Sequence, residues 1–217
     1  MTTMTIYLAN KNYSSWSLRP WLALKQTGAA FTEEVIPLDQ PTTREQILRV
    51  SPSGKVPALH HGDVRLWESL AIAEYLADTF PEARLWPESA AAKALARSIS
   101  AEMHGGFMPL RLNMPMNMRA SAPGKGMAPG VQDDINRITA IWRTCREQFG
   151  KGGPFLFGAF TIADAMFAPI ASRFTTYQVK LDEESESYRQ AILNHPPFQE
   201  WQAAAKNEPW MIPKYEI

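Results

Sequence analysis

Ser51-Pro52-Ser53-Gly54-Lys55-Val56-Pro57-Ala58-Leu59, followed a short connection later by Trp67-Glu68-Ser69-Leu70-Ala71-Ile72, is the stretch whose reading decides the fold. Ser51 to Gly54 is a turn cluster that breaks any preceding helix. Val56-Pro57-Ala58-Leu59-His60 then reads as a strand with its proline near the start, where a missing N–H is tolerated. His61-Gly62-Asp63 closes a hairpin onto Val64-Arg65-Leu66. Ser69 to Phe80 places Leu70, Ile72, Ala73, Leu76 and Phe80 on one helical face. The unit is ββα.

Outward from this unit, Thr5-Ile6-Tyr7-Leu8-Ala9 is a short buried strand ended by Asn10-Lys11-Asn12. Ser15 to Gly28 repeats Leu18, Trp21, Leu22 and Leu24 at helical spacing, with Pro20 in the tolerated first turns and Gly28 as the stop. Phe31 to Leu38 is strand-like, and Thr42 to Val50 forms a short helix. Residues 1–82 therefore make an α/β domain of order βαβαββα. After Pro81 the pattern becomes long helices, with Leu85-Trp86-Pro87 as linker and Ser89 as N-cap. Residues 88–217 form an all-α helical bundle. It comprises Ala90–Met118 as one helix or a kinked pair, a Gly/Pro-rich loop at Ala120–Gly130, and helices over Val131–Phe149 and Thr161 to about Val179. Two shorter helices from Glu183 are interrupted at His195-Pro196-Pro197.

Composition narrows the chemistry. Among 217 residues, 22 basic and 22 acidic side chains balance, so no nucleic-acid footprint is expected. Every apolar run falls short of the ~18 residues that span a bilayer, and the N-terminus lacks a basic and apolar leader. A cytoplasmic protein without membrane partners is expected. A single cysteine, Cys145, rules out an internal disulfide, a CxxC pair and a cysteine zinc cluster, and the four histidines show no ligand spacing, so no metal is expected. Any thiol chemistry must use an imported thiol.

Three features carry possible chemistry. Tyr13-Ser14-Ser15-Trp16 joins the first strand to the first helix, where ligands bind in α/β sheets. The N–H groups and dipole there stabilise a thiolate or phosphate, although a serine at such a position is more often only an N-cap. Most X-Pro bonds are trans; were Val56-Pro57 cis, the Val56 main chain would face outward and pair with an extended peptide. Glu68-Ser69 opens a second helix, able to hold a carboxylate while Glu68 takes an ammonium group, or simply to cap it. Together the three suit a short peptide thiol.

These residues resemble the glutathione S-transferase family over nearly the whole chain. Ser14-Ser15-Trp16-Ser17-Leu18-Arg19 is similar to the Ser-Ser-Cys-Ser-Trp-Arg motif of the zeta class; Ser51 to Leu59 matches the family's Asn-Pro-x-Gly-x-Val-Pro-x-Leu stretch, whose proline is cis; Glu68-Ser69-Leu70-Ala71-Ile72 matches Glu-Ser-x-Ala-Ile. Thr161-Ile162-Ala163-Asp164 resembles the family's capping motif, in which Asp164 is structural. The resemblance implies a thioredoxin-like glutathione-binding domain, a helical second domain, a homodimer and a detoxifying transferase. Trp16 stands where the zeta class has cysteine, which implies serine-type activation. Arg173 lies near, but not at, the spacing of the zeta substrate-binding arginine, so maleylacetoacetate isomerisation ranks second. A glutathione-dependent peroxidase and a non-enzymatic binding or regulatory protein complete the alternatives.

On this reading Ser14 or Ser15 donates a hydrogen bond to the thiolate of glutathione, which serves as co-substrate. A free thiol has a reference pKa of about 8.5, and each unit of depression takes about 1.4 kcal/mol. Val56 beside Pro57 pairs with the cysteinyl backbone, Glu68 and Ser69 hold the γ-glutamyl end, and Lys55 or Gln40 meets the glycyl carboxylate. The small-molecule electrophile, expected to be apolar, lies between the domains against Tyr13, Phe107, Met108, Leu112 and Met116, with Arg111 for any acidic group. Met108, Leu112 and Met116 recur every four residues, which also describes plain core.

Overall fold

A computed structural model describes residues 3–217. Met1 and Thr2, at which the expected first domain begins, lie outside the described residues. Strand β1 (Met4–Leu8) occupies the middle of a four-stranded sheet because Met4, Ile6 and Leu8 alternate inward and are buried. It pairs in parallel with β2 (Thr32–Val35), Ile6 opposite Glu33, and antiparallel with β3 (Ala58–His61), Ile6 opposite Leu59. β3 continues into β4 (Val64–Trp67) as the expected hairpin, Leu59 opposite Leu66. The order is β2-β1-β3-β4. β2 is shorter than the expected strand over Phe31–Leu38, since β1 offers four partners before Pro37 ends the pairing.

Helix α1 (Ser15–Gln26) and helix α3 (Ser69–Thr79) pack together, burying Leu18, Leu22, Ile72 and Leu76 in one core with Ile6, Leu8 and Leu59. The short α2 (Thr43–Val50) buries Ile47. Pro20 sits inside α1 rather than in its first turn, so the Trp16 carbonyl lacks its helical donor. Gly28 ends the segment at φ +68°, a conformation that favours glycine. This thioredoxin-like layer carries the helical second part on α1, which packs against α7.

That second part comprises α4 (Ala90–Gly105), α5 (Met108–Asn113), α6 (Val131–Phe149), α7 (Ile162–Thr176), α8 (Glu183–Leu193) and α9 (Pro196–Asn207). The Ala90–Met118 span, expected as one helix or a kinked pair, is broken at Gly106, where a Cβ would stand 2.9 Å from the Glu102 carbonyl oxygen, and at Phe107, held at φ +63°. α5 then ends at Asn113, so Met114 to Met118 is irregular chain. α7 is the axis of the bundle, with every residue except Thr175 buried. Its start is fixed by Asp164, whose carboxylate accepts from the Thr161 N–H at 2.8 Å, the Leu156 N–H at 3.0 Å and the Tyr188 hydroxyl at 3.0 Å. Burial holds this carboxyl up at about 6 against those hydrogen bonds.

Candidate functional site

Where β1 ends, Asn10 turns the chain: its carbonyl accepts from the Ser14 N–H at 2.9 Å, and its side chain accepts from the Leu38 N–H at 2.8 Å. Ser14 emerges from this turn as the N-cap of α1, in extended backbone. Its Oγ accepts from the Ser17 N–H at 3.2 Å while its hydroxyl donates to Ser17 Oγ at 2.9 Å. Ser17 Oγ is itself anchored by the Ala9 N–H at 2.9 Å. Capping and presentation to a ligand therefore coincide in one residue.

Ser14 lines a cavity of about 460 Å³ together with Trp16, Ser53, Lys55, Val56, Pro57, Glu68 and His104, floored by Ala9, Leu38 and Ile47. The Val56–Pro57 bond is cis. Glu68 adopts φ +75°, which non-glycine residues rarely take, and thereby enters the cavity from the head of α3. His104, at the end of α4, reaches in from the helical part, with Nε2 3.4 Å from Glu68 Oε2. Burial and the nearby Arg19 and Arg111 guanidinium groups hold His104 below its ordinary value despite Glu68, favouring the neutral ring at pH 7.

A second, smaller cavity of about 240 Å³ lies across Trp16, whose indole walls both. Tyr13, Ser15, Met108, Arg111, Pro115, Met116, Arg173 and Tyr215 complete it. Tyr13 is fixed there from two sides: its hydroxyl donates to the carboxylate of Glu216, in the chain after α9, and accepts from Nη2 of Arg119, between α5 and α6, at 2.8 Å. Arg173, 4% exposed, donates to the Met114 carbonyl at 2.8 Å and to Ser15 Oγ at 3.3 Å, leaving Nη1 unpartnered. Burial and the repulsion of Arg111 bring it down to about 9. Arg111 donates to the carbonyls of Met103, His104 and Gly106, closing the C-terminal end of α4.

The expected residues thus divide. Ser14, Lys55, Val56, Pro57 and Glu68 share the first cavity, whereas Ser15 faces the second. Ser69 stands at the head of α3 with a buried, unpartnered Oγ, behind the cavity wall. Gln40 is exposed outside the wall, its amide turned to the Leu38 carbonyl at 3.4 Å. Tyr13, Met108, Arg111 and Met116 line the second cavity as expected, but Phe107 and Leu112 do not. Phe107 is buried in the core at the helix break, and Leu112 is 71% exposed, because the break at Gly106 and Phe107 re-aims α5. Sequence reasoning missed Trp16 as shared wall, His104 and Tyr215, and gave Arg173 too little weight, since only the packing of α1 on α7 brings it to Ser15. Cys145 is buried and its thiol is pushed up to about 12, so it is no nucleophile. Among the described residues there is no metal-holding cluster of acidic, histidine or cysteine side chains, and no helix is long and apolar enough to cross a membrane.

Comparison with known proteins places these features in context. Residues 13–79 match the glutathione S-transferase N-terminal domain and residues 128–204 its C-terminal domain. Maleylacetoacetate isomerase of Rattus norvegicus is 32% identical over 183 residues, covering 81% of this chain and 80% of that protein. A probable maleylacetoacetate isomerase of Caenorhabditis elegans is 29% identical over 174 residues, covering 78% and 79%. In fold, a glutathione transferase homologue from Burkholderia, solved with bound glutathione, superposes with a TM-score of 0.72 at 22% identity, covering 94% of this chain and 98% of its own. Glutathione transferase Omega 2S from Trametes versicolor gives 0.73 at 23% identity over the full length of both chains. With both domain models matched in order, and a curated relative at this identity over four-fifths of each chain, the chain belongs to the glutathione S-transferase family.

Proposed function

We propose that this chain is a glutathione transferase in which Ser14, rather than Ser15, stabilises the thiolate. The observation that carries the choice is the division of the two serines: Ser14 shares a cavity with Val56 and Glu68, while Ser15 is turned toward Arg173. The Ser14 hydroxyl proton points at Ser17 Oγ; when a thiolate enters, a rotation about Cβ–Oγ redirects that proton to sulfur. Ser17, held by the Ala9 N–H, turns its own hydroxyl proton to Ser14 Oγ and completes the relay. Ser14 is a donor, not a nucleophile. The α1 N-terminus adds its partial positive charge. Val56 meets the cysteinyl backbone, Glu68 and the head of α3 at Ser69 receive the γ-glutamyl end, and Lys55 faces the glycyl carboxylate. The dimer and detoxifying role implied by the family belong to the same reading.

The second cavity supports a second reading. Its apolar wall of Met108, Pro115 and Met116 is interrupted by Arg111 and Arg173, so it suits an electrophile with an acidic end as well as a plain apolar one. Glutathione-dependent isomerisation, the activity named for the rat and nematode relatives, uses the same thiolate and is the runner-up.

Ultraviolet thiolate absorbance of bound glutathione against pH tests both parts. The wild type is expected to titrate below the free thiol, Ser14→Ala to lose most of that depression, and Ser15→Ala to keep it. Equal titration of bound and free glutathione in the wild type overturns thiol activation, and loss in Ser15→Ala alone reverses the assignment. Turnover of maleylacetoacetate analogues against halogenated aromatics then separates isomerase from transferase.

A further inference from the structure

The walls of the thiol cavity come from the α/β layer with one exception, His104 near the end of α4. Its ring is held in place on several sides. It stands T-shaped against the Trp16 indole, with 5.2 Å between ring centres. Arg111 closes the helix end around it by donating to the carbonyls of Met103, His104 and Gly106. Nδ1 is buried without a partner, and Nε2 is turned to Glu68, 3.4 Å from Oε2. A proton on Nδ1 is thus a buried, unsatisfied donor, so the neutral ring carries its proton on Nε2, facing the carboxylate. Glu68 has little else to steady it. Its backbone at φ +75° aims the side chain into the cavity, but the carboxylate makes no capping hydrogen bond to α3 and the side chain is 49% exposed.

A mobile carboxylate loses rotamer freedom when it meets a ligand, and a neighbour that pre-orients it removes part of that cost. A neutral N–H can do so while leaving the full negative charge to a cation; a protonated ring cancels the charge instead. We propose that His104 is a positioning residue for the γ-glutamyl end: its neutral ring orients the Glu68 carboxylate toward the ammonium group, and its protonation sets the pair against that group; this rests on the glutathione reading above. The charged groups acting on His104 are Glu68 from α3, Arg19 from α1 and Arg111 from α5, and burial with the two guanidinium groups favours the neutral ring. Lys55 shares the cavity from the approach to β3, while α7, which packs along α4, turns its Arg173 into the second cavity. The second proton has to enter at the buried Nδ1, so uptake begins below the ordinary 6.5. As pH falls through that range a positive ring appears beside the ammonium, and glutathione is held less tightly. Through this one side chain the helical part takes part in recognising the constant substrate.

Calorimetric titration with S-methylglutathione, whose sulfur cannot ionise, isolates this end of the ligand. Wild type is expected to bind about threefold more weakly at pH 5.0 than at pH 7.5, the scale of a partly exposed charge pair. His104→Leu should bind about threefold to fivefold more weakly than wild type at pH 7.5 and lose the acid weakening. His104→Gln, which offers an N–H but does not titrate, should recover most of the affinity lost in His104→Leu and be equally flat with pH. Carboxylates elsewhere, Asp164 among them, titrate alike in all three proteins and cancel in the comparison. In wild type, the same ligand without its α-amino group should show no acid weakening. A flat wild type, or His104→Gln weakening in acid as wild type does, overturns the inference and leaves the serine mechanism standing. If wild type binds S-methylglutathione at neither pH, the glutathione reading falls with it. Should the variants not fold, the two ligands in wild type decide, and equal acid weakening of both overturns the inference.

Discussion

The two cavities on either side of Trp16 are built in opposite ways. The first is assembled from chain ends and turns within about 55 residues: the N-cap of α1, the approach to β3, the head of α3. Its one wall from the helical part is His104. The second draws on side chains from Tyr13 to Tyr215 and exists only once α1 has docked on α7 and the chain after α9 has folded back. On the proposed reading, element ends and turns receive the constant part of a peptide thiol, whereas side chains from distant elements meet the variable partner. Changes around the second cavity can therefore alter what is attacked without disturbing how the thiol is held.

Substitutions can break or sharpen that contrast. The largest effect is expected from Ser14→Ala: kcat/KM should fall about tenfold to a hundredfold, the worth of one charge-assisted hydrogen bond, with little change in glutathione affinity at low pH. A comparable loss in Ser15→Ala would erase the division between the cavities. Glu68→Gln should raise the KM for glutathione about tenfold, through loss of one charged contact to the γ-glutamyl ammonium, and leave the KM of the second substrate in place. Arg173→Met should do the reverse for electrophiles bearing a carboxylate, by about fivefold to tenfold, while neutral electrophiles are spared. Steady-state kinetics with each substrate varied in turn checks all three.

The smallest effect sits far from both cavities and tests whether they respond only to local change. His195 stacks on Phe160 at 4.3 Å between ring centres, and burial brings it down to about 4 from an ordinary 6.5. The unfolded chain takes up the proton first, so the stability contributed by neutral His195 is full above pH 6.5 and is lost as pH falls toward 4. Replacing it with phenylalanine should flatten that acid limb in chemical denaturation, with kinetics at pH 7 unchanged. A changed KM for either substrate would show that the bundle and the cavities are coupled.

How much of this was legible in the sequence follows the same divide. The order of strands and helices, the cap at Ser14, the proline beside Val56 and the acidic residue at the head of α3 all depend on neighbours a few residues away, and contiguous chemistry records them. Leu112 failed because a four-residue rhythm through Met108, Leu112 and Met116 presumes one continuous helix, and Gly106 and Phe107 end it. Gln40 failed because a side chain on a loop is aimed by its own backbone, here toward Leu38. Arg173 sits 158 residues from the serine it reaches, and no local spacing encodes that meeting. Nor does any pattern announce that Arg19 is sealed without an acceptor, since an arginine in the first turns of an amphipathic helix ordinarily reaches water.

Trp16 gives the molecule a built-in optical reporter. Its indole is 37% exposed and is shared by both cavities, which none of the other six tryptophans lines, Trp67 being 41% exposed elsewhere and Trp21, Trp142 and Trp201 sealed in the interior. With two guanidinium groups within 5 Å of its ring centre and the His104 ring centred 5.2 Å away, its emission is sensitive to charge placed in either cavity. Filling the thiol side and filling the electrophile side should therefore leave separate signatures on one chromophore, so that the order in which the two substrates arrive is readable by stopped-flow fluorescence without a label.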